Sequence, residues 1–193
     1  MIATSEKLAA TGRPPVIALA GRRVDAPGAG DLRFPPENVP PVEAAIRQYL
    51  NNNDVRVLVC SAACGADLLA LKVAGEIGIR RRVILPFDRI QFRETSVVDR
   101  PGNWGELYDN VIAEVERCRD LVVLRYQPNE TAGYACTNEA IVDEALKISR
   151  VENIAPAALA VWDGKSRGPE DLTDHFLQYA RSKGMPIVEI ATR

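Results

Sequence analysis

Six short apolar, β-branched runs separated by amphipathic stretches constrain this chain more than any other feature. The runs are VIALAG (16–21), VRVLVCS (55–61), RRVILPF (81–87), DLVVLR (120–125), ALAVWDG (158–164) and PIVEI (186–190). Each is apolar on both faces, as strands are when helices cover both sides of a sheet. Helices are predicted near 39–50, 66–77, 104–117, 137–149 and 171–183. The last is clearly punctuated. Asp171 caps its start, Asp174 sits in its first turn, and Lys183, Gly184 and Pro186 mark its end. Strand followed by helix, repeated about five times, implies right-handed crossovers and a mainly parallel sheet. The expected fold class is therefore α/β: a Rossmann-like, doubly wound sheet with helices on both faces.

A chain of 193 residues, 47% of them hydrophobic, is long enough to bury a sizeable core as one domain. That domain is expected over residues 15–193, after a flexible tail at 1–14. Two connections, 22–41 and 88–103, are long for a compact α/β domain, and such segments usually serve as lids, binding lips or insertions.

Composition removes several function classes. A net charge of -2 argues against nucleic acid as the main partner, and the RRR cluster at 80–82 is too short to reverse that. The longest uninterrupted apolar run, APAALAVW, is strand-sized, so no membrane partner is expected. Met1 to Pro15 lack the apolar stretch of a secretion signal, which points to the cytoplasm. Cys60, Cys64, Cys118 and Cys136 form no CxxC pair and have only His175 to help them, so reduced thiols are expected and no metal site. His175 lies inside the last predicted helix and, without a second histidine, reads as a surface or interface residue. There is no GxGxxG and no P-loop Lys-Ser/Thr pair, and no cofactor is expected.

In an open parallel sheet, ligands bind beyond the carboxyl ends of the strands, near the point where strand order reverses. That rule selects Gly21, Arg22 and Arg23 after the first run, and Ser61 to Asp67 after the second. It also selects Trp162, Asp163 and Gly164 after the fifth. The turn SAACGAD (61–67), with Ser61, Cys64, Gly65 and Asp67, is built of small side chains that let a backbone approach a ligand ahead of a helix N-terminus. The same small residues would equally let helix and strand pack tightly, and the residues alone leave both readings open. Arg22 and Arg23 stand where a guanidinium clamps a phosphate or carboxylate. Trp162 is placed to stack on a base or to enter the core. Asp163 and Asp174 would accept hydrogen bonds from ribose hydroxyls or serve as caps. Tyr134, Asn138, Glu139 and Asp143 are expected at the mouth of a helix, Asn138 as its cap.

The segments VIALAGRRVD, LVCSAACGADLLAL, VILPFDRIQFRETSV, YACTNEAI and LAVWDGKSRGPEDLTDHFLQYARSKGMPIVEI together resemble the SLOG superfamily. These are Rossmann-like domains related to the LOG and DNA-processing protein A families. The resemblance covers most of the chain from about residue 16 and is closest to bacterial stand-alone or signalling-associated members. It implies a pocket for a nucleotide, nucleoside or nucleotide-derived signal, and a homodimer. By this analogy Gly21 and Arg22 line the first strand end, and Ser61, Gly65 and Asp67 line the second turn. Gly164, Gly168, Thr173 and Asp174 would form the last, phosphate-side turn. The chain departs from the LOG enzymes there: where they carry PGGxGTxxE it has GPEDLTDHF, with Pro169 and Glu170 in place of glycines and Phe176 at the position of the catalytic Glu.

Three readings follow. The first is a sensor module that binds a small nucleotide-related ligand. The second is an enzyme acting on an N-glycosidic bond, phosphoribohydrolase-like or nucleoside deoxyribosyltransferase-like, with Asp67, Glu139 or Asp163 as its carboxylate. The third is a protein-interaction module with a vestigial pocket.

Overall fold

The computed structural model describes residues 15–128 and 131–193, so the tail expected at 1–14 lies outside the described residues. Among the described residues, six parallel strands form one sheet in the order β4-β3-β2-β1-β5-β6. They are β1 (Val16–Gly21), β2 (Val57–Cys60), β3 (Arg80–Leu85), β4 (Leu121–Val123), β5 (Pro156–Trp162) and β6 (Ile187–Ala191). The α/β doubly wound architecture expected from the alternating runs is the one observed.

Alternation along the strands divides the core into two layers. Ile17, Leu19, Leu58, Cys60, Ala157, Leu159 and Val161 face one side of the sheet. Helices α1 (Val39–Asn52), α2 (Ala66–Glu76) and α4 (Trp104–Arg117) pack there. Val16, Ala18, Ala20, Val57, Val59, Ala158, Ala160 and Trp162 face the other side, under α5 (Thr131–Glu152) and α6 (Leu172–Ser182). Helix α4 shows why these segments coil: Trp104, Tyr108, Val111, Ile112 and Val115 recur at helical spacing and are its buried stripe.

Three expectations are corrected. The segment 88–103 is not wholly irregular, because it carries α3 (Arg89–Ser96), whose N-cap Asp88 accepts from Ile90 N and Gln91 N. That helix is short and polar, so only Phe92 and Ser96 are buried and no apolar period announces it. The segment 22–41 includes a 3-10 turn at Pro36–Asn38 and the start of α1, and Asp25 Oδ2 accepts from Arg33 N and Phe34 N to fold it back. Helix α5 begins at Thr131, well before 137, so Tyr134 and Asn138 lie inside a helix and Asn138 is not a cap.

The chain winds outward from β1 to the edge at β4, then α5 crosses the sheet and delivers β5 to the other side of β1. Strand order thus reverses between β1 and β5, where Gly21 pairs with Val161. The carboxyl ends of β1, β2 and β5 surround that switch point.

Candidate functional site

A cavity of about 290 Å³ opens at this carboxyl edge. Its floor is the end of β1 (Leu19, Ala20, Gly21), and Ser61, Ala63 and Asp67 of the β2–α2 turn form one wall. Phe92 and Ser96 of α3 form a second wall, and α5 forms a third with Tyr134, Thr137, Asn138 and Ile141. Leu172 and Thr173 at the start of α6 and Arg23 complete the rim. The volume sits at the low end of the roughly 300–1,000 Å³ typical of small-molecule sites.

Glycine makes the crossing of the two loops possible. At Gly65, with φ +96°, a Cβ would stand 2.7 Å from Arg22 O and 2.8 Å from Val24 N. At Gly21 it would collide with Ala66 Cβ. The close approach that the SAACGAD turn needs is therefore an approach to the chain's own β1–α1 loop. The amides at the start of α2 follow suit: Cys64 N donates to Ser96 O at 3.0 Å and Ala66 N to Arg22 O at 3.1 Å. Two amides at this helix start are thus taken by the chain itself.

Asp67 is the distinctive group on the cavity wall. It is 7% exposed, and its Oδ2 accepts from Ala63 N at 3.3 Å. Its Oδ1 and the neighbouring Ser61 Oγ are buried without a hydrogen-bond partner. Burial pushes the Asp67 carboxyl up to about 7, against the smaller opposing pull of the Ala63 amide and the Arg23 charge. The polar groups of the α3 and α5 walls are neutral. Tyr134 Oη lies 3.4 Å from Ser96 Oγ, Thr137 Oγ1 donates to Gly133 O at 2.7 Å, and Asn138 Nδ2 donates to Leu172 O at 2.7 Å. Arg23 is held at the rim, with its Nη2 on Asp99 and its Nε 3.5 Å from Cys64 Sγ.

Beside the cavity, Arg22 is engaged in a buried ion network. Its Nε donates to Asp163 Oδ1 at 2.9 Å, its Nη1 to Asp171 Oδ1 at 2.7 Å and its Nη2 to Lys165 O at 2.6 Å. Arg33 Nη1 reaches the other oxygen of Asp163 at 3.0 Å. Asp171 also accepts from the N–H groups of Thr173, Asp174 and Arg167, closing the start of α6. Burial alone would push the Asp171 carboxyl up. The bonds from Arg22 and from the Arg167 and Asp174 amides outweigh it and hold the carboxyl well below the usual carboxylate range.

Of the residues selected from sequence, Gly21, Arg23, Ser61, Asp67 and Thr173 reach the cavity. Cys64 is buried behind the turn, and Gly65 supports the loop crossing. Trp162 enters the core under α5 and α6, donates from Nε1 to Glu189 Oε2 at 2.8 Å and lies 5.4 Å from the Arg22 guanidinium carbon. Arg22 and Asp163 bind each other, Gly164 is a positive-φ turn off the cavity, and Asp174 accepts from Gln178 Nε2. Glu139 faces outward, with His175 Nε2 at 3.4 Å from its Oε1. Among the described residues no group of three or more His, Cys, Asp or Glu converges, and no helix is long and apolar enough to cross a membrane.

The α3 and α5 walls were not among the selected ligand contacts. Phe92 and Ser96 sit in a segment without periodicity. Thr137 and Ile141 carry the right period, one helical turn beyond Tyr134 and Asn138, but only the crossover of α5 brings them over the switch point.

No protein-family model matches the sequence, and no curated protein matches it. Among solved structures, the Moco carrier protein from Chlamydomonas reinhardtii is similar over 93% of this chain and 90% of that one, at 17% identity and a TM-score of 0.35. A likeness that distant carries no functional argument.

Proposed function

We propose that this chain binds a small nucleotide-related ligand, a nucleoside, nucleotide or signal derived from one, in the cavity at the carboxyl ends of β1 and β2, and that it acts as a sensor module. The observation that carries this reading is the pair of buried, partnerless oxygens, Ser61 Oγ and Asp67 Oδ1, on the wall of a cavity at the switch point. A buried polar atom left unsatisfied costs about 1–3 kcal/mol, and a hydroxyl or amine of a ligand recovers that cost. Phe92 and Tyr134 supply ring surface for a base, and the neutral groups of Ser96, Thr137 and Asn138 supply hydrogen-bonding edges. A thermal-shift panel of nucleosides, nucleotides and cyclic nucleotides tests the reading. At least one member raises the melting temperature in a dose-dependent way, because a ligand of the native state must stabilise it. Silence from every member at millimolar concentration refutes it.

One observation favours the glycosidic reading as a second. Asp67, with its carboxyl pushed up to about 7, is poised near neutrality for proton transfer at the cavity wall. Asp163 is ion-paired with Arg22, Arg33 and Arg193 and Glu139 is off the cavity, so Asp67 is the carboxylate this reading depends on. Release of free base from nucleosides, abolished by Asp67→Asn with the fold intact, would promote it over the sensor.

A further inference from the structure

Several of the amides that could hold a phosphate at this rim are taken by the chain itself. At α2, the Cys64 and Ala66 amides donate to Ser96 O and Arg22 O, and the Ala63 amide donates to Asp67 Oδ2. At α6, the Asp171 carboxylate takes the Thr173, Asp174 and Arg167 amides together with Arg22, so a carboxylate already stands where a phosphate would meet the positive end of the helix. The cations nearby are committed in the same way: Arg22 and Arg33 to Asp163, and Arg23 to Asp99.

Of the two charged side chains that line the cavity among the described residues, Arg23 is paired with Asp99 and Asp67 is not ion-paired. Asp67 is more than nine-tenths buried on its wall, with one oxygen lacking any partner, beside an equally partnerless Ser61 Oγ. Once ionised, above about pH 7, a carboxylate in that position accepts hydrogen bonds from hydroxyl or amine groups and repels an anion.

Resting on the ligand-binding reading above, we infer that the cavity selects the uncharged, hydroxyl- and amine-bearing form of its ligand, a nucleoside, and excludes the 5′-phosphorylated form. Asp67 is the residue that discriminates, and Ser61 adds affinity for either form. Asp67 accepts from the ligand's donors, and its charge disfavours phosphate.

Isothermal titration of the full chain at pH 8.5, where Asp67 is ionised, with adenosine, guanosine, cytidine and uridine, and with their 5′-monophosphates, tests this. At least one nucleoside binds roughly tenfold or more tightly than its monophosphate, a gap of about 1.4 kcal/mol. Asp67→Asn narrows that ratio to about threefold or less by improving the monophosphate, and Ser61→Ala weakens the nucleoside about threefold while leaving the ratio unchanged. Circular dichroism establishes that both variants fold. A monophosphate that binds as tightly as its nucleoside overturns the inference and leaves the ligand-binding reading standing. So does a ratio that Asp67→Asn does not move. Failure of both series to bind at millimolar concentration brings down the reading, and the inference with it.

Discussion

Replacing Asp67 by Asn changes how stability depends on pH, and the structure sets the size of the change. The wild-type carboxyl moves from 3.8 to about 7 on burial. Between those values the native state binds more protons than the unfolded chain, so stability is fully present below pH 3.8 and is lost as pH rises toward 7. At 1.36 kcal/mol per unit, the loss at full ionisation is about 4 kcal/mol. From pH 5 to pH 8.5 it amounts to roughly 3 kcal/mol. The amide of Asp67→Asn keeps an oxygen for Ala63 N but buries an NH₂ group, a fixed cost of about 1–2 kcal/mol at every pH. The wild type has already lost about 1.7 kcal/mol at pH 5, so the variant is close to it there and about 2–3 kcal/mol more stable at pH 8.5. Urea titrations of both proteins at half-unit pH steps, read by fluorescence of the buried Trp104 and Trp162, measure the difference. Every other titrating group is common to the two proteins, so the pH dependence of the difference isolates Asp67. Parallel stability curves across that range would refute the argument, since they would mean that the Asp67 carboxyl ionises alike in the folded and unfolded chain.

Three further substitutions probe the rim. Arg22→Met leaves the buried Asp163 and Asp171 carboxylates short of a cation and lowers unfolding free energy by about 3–5 kcal/mol in urea melts, whereas a loss under about 1 kcal/mol would show the network to be energetically idle. Asp171, held below the usual carboxylate range, contributes stability that is present above its unfolded value of 3.8 and lost as pH falls, so Asp171→Asn flattens the acid limb of the stability curve. Gly65→Ala forces a side chain into φ +96° and against Arg22 O, and costs about 2–4 kcal/mol by the same assay.

Strand and helix types were legible in the sequence because apolar runs and helical stripes carry the packing of both layers. β1 and α4 are found at their expected ends, and β2 and β4 are shorter than their apolar runs. Helix α3 was not legible, since a short polar helix fixed by a cap and one buried Phe leaves no period to read. The rim was legible as a place, through the rule that ligands gather at strand carboxyl ends. The division of labour within it was not. Arg22 and Asp163 look in sequence like ligand residues, and their engagement with each other depends on a contact between residues 141 positions apart. Asp67 was visible as a first-turn carboxylate, yet its isolation arises only when α3 and α5 close over it.

The switch between β1 and β5 also dictates an order of assembly. Strands β1 to β4 pair with neighbours that are adjacent along the chain, so this half of the sheet gathers through comparatively local contacts. β5 must return to β1, and Arg22 must wait for Asp163 and Asp171, 141 and 149 positions away. The cleft draws its walls from both halves, so it is completed only when the last third of the polypeptide docks. A ribosome-bound chain lacking that third would expose Ala18 and Ala20 on an open strand edge.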